Sequence, residues 1–457
     1  MSPRRELRLN TFQMAAPSHN WAGLWSHPRD NQTQYNTLAY WTEMAKIAER
    51  GLLDGIFIAD VFGLYDVYGG SGDAAIAAGA QAPNADPTLA ISAMALVTQH
   101  IGFGVTANLT YEHPFQFARR FTTLDHLTGG RLGWNIVTGY LDSGARGMGE
   151  SLNRDHDERY EAAEDFMAAV YKLWEGSWED GAAIRDKARG LFTDPAKVHR
   201  ILHDGPYYKV DGRALAEPSP QRTPVLYQAG TSARGRVFCG RHAEATFLNG
   251  QTPSIAGQAV RGVREAAVAA GRGPRDVLTF LGGTVIVAKT SAEAHELKEE
   301  YRRHINAAGQ LALVSGWTGV DLSQLSLDDA LSFSKSNAIQ STLENLTLKA
   351  KAPTRVRDLL DFTPAGARAP IFVGSPVEVA DQMLAWADEA DVDGFNLVRT
   401  VMPESLEAIV DLLIPELQNR GAFKTAYREG TLREKLGGTA RLPDSHPGAA
   451  YRHPSAP

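Results

Sequence analysis

The chain has 457 residues, 43% hydrophobic and 22% charged, with 46 Lys+Arg against 53 Asp+Glu for a formal net charge of −7. This much apolar material excludes a disordered chain, no run of about 20 apolar residues offers a membrane span, and the mild negative balance offers no basic stripe to nucleic acid or an anionic bilayer. Cys239 is the one cysteine, which excludes an internal disulfide, and the start MSPRRELRLN has no apolar run after its arginines, so the reducing cytoplasm is the expected compartment.

In chain order, eight short runs rich in β-branched and aromatic residues read as strands: 7–14 (LRLNTFQM), 53–60 (LDGIFIAD), 101–110 (IGFGVTANLT), 132–139 (LGWNIVTG), 224–230 (PVLYQAG), 244–250 (EATFLNG), 278–288 (LTFLGGTVIVA) and 392–398 (VDGFNLV). Amphipathic stretches at 38–51, 88–100, 114–130 and 375–390 read as helices, several beginning at Ser or Pro or ending at Gly. Eight strands alternating with helices predict an α/β fold, the TIM (β/α)8 barrel. A doubly wound sheet would want G-x-G-x-x-G after its first strand, and none is present. Two long gaps read as insertions after strands 4 and 7. The first, about 140–223, holds a helix over 159–176 and a hairpin near 207–212; the second, about 289–370, reads as helical and polar. A Pro/Gly-rich C-terminal arm, about 421–457, is expected to lie over the surface or a neighbouring subunit. The chain as a whole, 1–457, reads as a single barrel domain.

Barrel chemistry sits at the C-terminal strand ends. The polar residues there are Asp60, Thr106, Asn108, Asn135, Thr138, Gln228, Gly230 and Asn249, with His19 and His27 after the first strand. Each alone is as well explained by a cap or turn. Together they suit a heteroaromatic ligand rich in carbonyls and nitrogens. His156 and Tyr160 in HDERY share one face of a helix start, as donors for a phosphate or ring edge or as a packing pair. AGTSARGR (229–236) offers small residues, hydroxyls and arginines after the fifth strand, a weak sign of an anion cradle. No zinc-ligand spacing occurs, so no metal is expected. Asp60 is the one good strand-end acid, which counts against glycoside hydrolysis, and no G-x-S-x-G elbow occurs. Cys239, with His242 three residues on, reads as core.

Taken together, NTFQM, YWTEMAKIAERGLLDGIFIADVFGLYDVYGG, YEHPFQFARRFTTLDHLTGGRLGWNIVTGYL, HDERY, KLWEGSWED, EPSPQRTPVLYQAG and VDGFNLV resemble the two-component flavin monooxygenases of the bacterial luciferase superfamily. The likeness runs from about residue 7 to 450 and is to the nitrilotriacetate, dibenzothiophene-sulfone, long-chain alkane and dimethyl sulfide group, most of all the last two. It implies reduced FMN as a diffusible cosubstrate from a separate NAD(P)H-dependent flavin reductase. It also implies dioxygen, a flavin peroxide that oxygenates a small apolar substrate (thioether, alkane, sulfone or halogenated aromatic), and a homodimer or homotetramer. By motif match, Asp60, Thr106, Asn135 and Thr138 would line the flavin ring and ribityl chain, and His156, Tyr160, Gly230 and Thr231 would hold the ribityl chain and phosphate. His19, Tyr65 and Gln81 fall at catalytic, substrate-side positions, and Phe12, Trp21, Phe62 and Trp317 could form an aromatic substrate wall or simply pack the barrel mouth. The resemblance also marks departures: the alkane enzymes carry a cysteine where this chain has Ala16 and a histidine where it has Leu313. A deazaflavin-dependent dehydrogenase of the same superfamily, or a non-catalytic flavin-binding protein, remains compatible with these strings.

Overall fold

A computed structural model describes residues 6–230, 232–334 and 338–453. Parallel pairing runs unbroken around eight strands: β1 (Arg8–Met14), β2 (Gly55–Ala59), β3 (Gly102–Asn108), β4 (Leu132–Val137), β5 (Val225–Gln228), β6 (Ala245–Leu248), β7 (Leu278–Val287) and β8 (Gly394–Val398). Asn10 of β1 lies opposite Gly55 of β2, and β8 closes the ring with Gly394 opposite Arg8. Every one of these strands falls inside a run read from the sequence, and the fold is the TIM barrel. Period-2 alternation explains why. Phe57, Tyr227, Phe247 and Phe280 fill the barrel interior, while Ile56, Ile58, Phe103, Val105, Trp134 and Ile136 join the larger outer core. Each ring taken out of water contributes roughly 1.5–3 kcal/mol. Space for the rings comes from glycine: a methyl on Gly104 would lie 2.9 Å from Phe57, and one on Gly133 2.4 Å from Tyr227.

Helices α1 (Leu38–Arg50), α2 (Pro114–Leu127), α3 (His156–Gly176) and α4 (Ala233–His242) carry the flanking layers used below. α2 starts where Pro114 fits the first turn and the His113 ring accepts from the Phe115 amide, and it stops at Gly129 and Gly130, both at positive φ. The helix expected over 88–100 is shorter, Ile91–Leu96, entered through a 3-10 turn at Pro87–Ala90.

Between β4 and β5 the chain forms α3 and two hairpins. Ile201–Asp204 pairs with Lys209–Gly212 near the expected place, while Ala183–Asp186 with Leu191–Thr193 was not foreseen. Between β7 and β8 the expectation of a helical, polar segment over about 289–370 fails in one place, and a strand not expected from the sequence follows it. Helix α5 (Ala307–Thr318) is buried from Gly309 onward, its apolar run masked in the sequence by the charged stretches on either side. Ile371–Gly374 is a further strand, paired with Thr284–Val287, the half of β7 beyond its pairing with β6. The residues after 421 do not simply drape over the surface. In helix α6 (Leu432–Gly437), Leu432 fills the space left by Gly102 at the start of β3, and Arg433 lies beneath β5 and β6, 1% exposed. No helix among the described residues is long and apolar enough to cross a membrane.

Candidate active site

At the C-terminal ends of β2 to β5 lies a cleft of about 980 Å³ lined by Asp60, Asn108, Thr138, Tyr140, His156, Tyr160, Gln228 and Gly230, with Ile339 and Gln340 from the segment between β7 and β8. One end is built by α3 and α4. His156 and Tyr160, one helical turn apart, have ring centroids 5.3 Å apart, and His156 Nε2 is 3.2 Å from Ser232 Oγ. Ser232 caps α4 by accepting from the Gly235 amide at 3.0 Å, so the positive end of α4 opens beside two side chains able to donate. Burial pushes the Tyr160 hydroxyl up to about 12, which keeps its proton available. A methyl on Gly230 would lie 2.4 Å from both the Tyr160 hydroxyl and Gln228 Nε2. Glycine therefore holds open a cradle that any side chain would fill. Thr231 lies outside the described residues.

The other end is built by β3, β4 and β5. Thr106 stands opposite Asn135 in the ladder, and Asn135 Nδ2 donates to Thr106 Oγ1 at 2.8 Å. Asn108 Nδ2, Asn135 Oδ1 and Gln228 Oε1 are each buried without a hydrogen-bond partner. Leaving such an atom unpaired costs about 1–3 kcal/mol, so three on adjacent strands mark a place for complementary polar atoms. Asp60 accepts from Asn84 Nδ2 at 2.9 Å, and burial pushes its carboxyl up to about 6. Phe62, 45% exposed, sits between this cleft and a second one of about 1390 Å³ that reaches Gln81, Asn84 and Thr106.

A connected polar group stands beside both clefts. Tyr65 OH donates to Gln81 Oε1 at 2.9 Å and accepts from Trp317 Nε1 at 3.0 Å, with Tyr140 OH 2.6 Å away. Gln81 Nε2 donates to the His19 carbonyl at 2.9 Å. The His19 ring lies edge-on to Phe12 at 4.2 Å, and its Nδ1 has no partner. Burial, then the charges of Arg399 and Arg368, hold its pKa well below the usual histidine range, so the ring is neutral and available as an acceptor.

The structure thus gathers His19, Tyr65, Gln81 and Trp317 into one network, and Asp60, Thr138, His156, Tyr160 and Gly230 around one cleft, while Thr106 lines the second cleft and Asn135, bonded to it, lines neither. It does not gather the four aromatic residues into one wall. Phe12 packs with Phe247 on the barrel floor, Trp21 against Phe362, Phe62 against Tyr111, and no ring contact joins the four among the described residues. His27 is engaged elsewhere, 3.2 Å from Glu300, and Asn249 opens on a separate cleft with Arg236 and Asn345. Buried Cys239, its thiol pushed up to about 11 by burial, has no base beside it, because His242 bonds Tyr171 and Glu164. Sequence reasoning missed Tyr140, which the strand-end rule would have found one residue beyond GWNIVTG. It also missed Arg368, whose guanidinium carbon lies 3.7 Å from the Trp317 ring centroid and which no local pattern marks.

A closed (β/α)8 barrel with its cleft at the C-terminal strand ends defines a barrel enzyme. The chain belongs to the luciferase-like monooxygenase family, whose model matches residues 11–393. It is 46% identical over 452 residues to the dimethyl-sulfide monooxygenase of Hyphomicrobium sulfonivorans, covering 98% of this chain and 94% of the relative. The crystal structure of a long-chain alkane monooxygenase superposes with a TM-score of 0.90 at 44% identity, covering 98% of this chain and all of that one. That of a riboflavin lyase with modified FMN and riboflavin gives 0.91 at 36% identity, covering 98% and 100%. The protein is accordingly a flavin-dependent monooxygenase.

Proposed function

We propose that this chain is the oxygenase of a two-component system: it takes reduced FMN from a separate NAD(P)H-dependent flavin reductase and, with dioxygen, oxygenates a small organic substrate with an apolar body. The three unpaired buried amide atoms on β3, β4 and β5, leading to the glycine-lined cradle at α4, carry this assignment. Asp60, Thr106, Asn108, Asn135, Thr138 and Gln228 would hold the flavin ring and ribityl chain, and His156, Tyr160 and Gly230 the ribityl chain and phosphate, with Thr231 as the sequence resemblance implies. Bound reduced FMN supplies the electrons that let one oxygen atom of dioxygen enter the substrate while the other leaves as water. His19, neutral and unpaired at Nδ1, accepts a proton or hydrogen bond on the substrate side. Tyr65 and Gln81 fix the His19 backbone, and Phe62 and Ile339 exclude water from the cleft. The relatives named for dimethyl sulfide, long-chain alkanes and dibenzothiophene sulfone support a thioether, alkane, sulfone or similar apolar group as the site of oxygenation. The relative named nitrilotriacetate monooxygenase component A supports a separate reductase. On the same reading the enzyme works in the cytoplasm as a homodimer or homotetramer.

Anaerobic titration should show saturable binding of reduced FMN, and product formed with a flavin reductase under labelled dioxygen should carry one labelled oxygen atom. Binding of reduced deazaflavin in place of reduced FMN would overturn the assignment. His19→Ala should retain flavin binding and release more hydrogen peroxide per NADH consumed; unchanged coupling would remove His19 from the chemistry.

A further inference from the structure

Among the described residues, one cation at the barrel mouth, Arg368, has no carboxylate beside it. Arg368 ends the short helix Pro364–Ala367 in a left-handed turn, φ 57°, three residues before the strand that extends β7. Its guanidinium stacks on Trp317, and Nε is buried without a hydrogen-bond partner. Among the described residues no carboxylate pairs with it; only the Tyr140 and Tyr65 hydroxyls act to raise its proton affinity, against the larger opposing effect of burial. Arg399, the other cation whose charge reaches His19, is differently placed, giving hydrogen bonds to the carbonyls of Met14 at 2.9 Å and Ala16 at 2.6 Å and to the Tyr40 hydroxyl at 3.2 Å. Arginine stays charged in proteins, and half-buried Arg368 carries that charge without a carboxylate among the described residues to balance it. Stacking satisfies the face of the guanidinium and leaves the donors on its edge. Those donors match the planar fork of a carboxylate.

The ligand is not the cofactor phosphate, whose cradle lies at α4. Trp317 bonds Tyr65, and Tyr65 bonds Gln81 and Tyr140, so Arg368 adjoins the group that contains His19. Tyr140 lines one cleft and Gln81 the other. We propose that Arg368, stacked on Trp317, binds a carboxylate of the substrate, so that the molecule oxygenated is an organic anion with an apolar, oxidisable end. This rests on the oxygenase assignment above and narrows it.

The test compares two thioethers, 3-(methylthio)propanoate and ethyl methyl sulfide, turned over by the full-length protein with a flavin reductase, and titrates the carboxylate into the protein calorimetrically. Wild type should prefer the carboxylate in kcat/KM by on the order of 10- to 100-fold. Arg368→Gln should bring that ratio near one and weaken carboxylate binding by a similar factor, with Arg368→Lys in between because it keeps the charge and loses the fork. Should Arg368→Gln fail to fold, the lysine variant and the wild-type ratio still decide. Equal turnover of both thioethers by wild type, or an unaltered ratio in the variants, overturns the carboxylate site and leaves the oxygenase assignment standing. Carboxylate binding that depends on Arg368, with no oxygenated product from either thioether, supports the site and moves the oxidisable group from a thioether to another apolar end; absence of reduced-FMN binding in the same protein would count against the oxygenase assignment.

Discussion

Two arginines at opposite ends of the barrel, Arg433 buried and Arg368 half-buried, are completed in opposite ways. At the N-terminal end Arg433 donates to both carboxylate oxygens of Glu244, at 2.6 and 3.0 Å, and to the carbonyls of Gln221, Thr223 and Pro224. Burial works to raise the Glu244 pKa, and the Arg433 charge reverses that, leaving it below the usual carboxylate range. At the C-terminal end Arg368 has an aromatic face and no acceptor for its buried Nε. Arg433 is completed by the chain itself, and Arg368 is not; the amides of Asn108, Asn135 and Gln228 at the same end likewise keep an unpaired atom.

The contrast is broken most severely at the closed end. Arg433→Met leaves Glu244 buried without its partner and should cost about 3–5 kcal/mol in denaturant unfolding, with Glu244→Gln in the same chain recovering part of the loss. A cost below about 1 kcal/mol would show that this end does not depend on the pair. At the open end, Gly230→Val should fill the cradle and weaken reduced-FMN binding by about 1–3 kcal/mol in anaerobic titration. Its unfolding midpoint should move less than that of the Arg433 variant. Histidine titration sharpens the difference further. His446, buried at the closed end, gives its Nε2 proton to the His242 carbonyl and accepts at Nδ1 from the Gly448 amide; burial holds its pKa down at about 3. The unfolded chain takes up a proton there below about pH 6.5 and the folded chain does not. Stability should therefore fall as pH drops below about 6.5, by about 1.4 kcal/mol per pH unit for this group. His446→Gln should remove that slope between pH 6 and 4, measured by unfolding at several pH values. The smallest effect is Tyr160→Phe, which should weaken reduced-FMN binding by about 1 kcal/mol, one hydrogen bond; an unaltered dissociation constant would exclude the contact.

The barrel was legible because its signals are local. Each strand is a short run rich in β-branched and aromatic residues, and Gly104 of GFG and Gly133 of LGW sit where neighbouring rings need space. The unforeseen pieces depend on distant partners. Ile371–Gly374 is four residues long and forms a strand because β7 offers it an edge, and α5 reads as polar only while its charged flanks are averaged in. At the site, Asn135 and Gln228 were visible from the strand ends that carry them. The pairing of Arg368 with Trp317 joins positions about fifty residues apart through tertiary packing, and neither AGARAP nor SGWTG announces it.

β7 is ten residues long, and only its first part is shared with β6 in the ring; Thr284–Val287 runs on and carries Ile371–Gly374. The strand is a cantilever, anchored in the barrel and loaded outside it. Arg368 lies just before Ile371, which pairs with Thr284 where β7 leaves the ring, and it can be exchanged for another side chain without altering the register of any ring strand, whereas the amides of β3, β4 and β5 are tied to theirs. The proposed substrate contact and the proposed cofactor contacts are thereby mounted on separate mechanical parts, so that one can be altered by substitution while the other stays put.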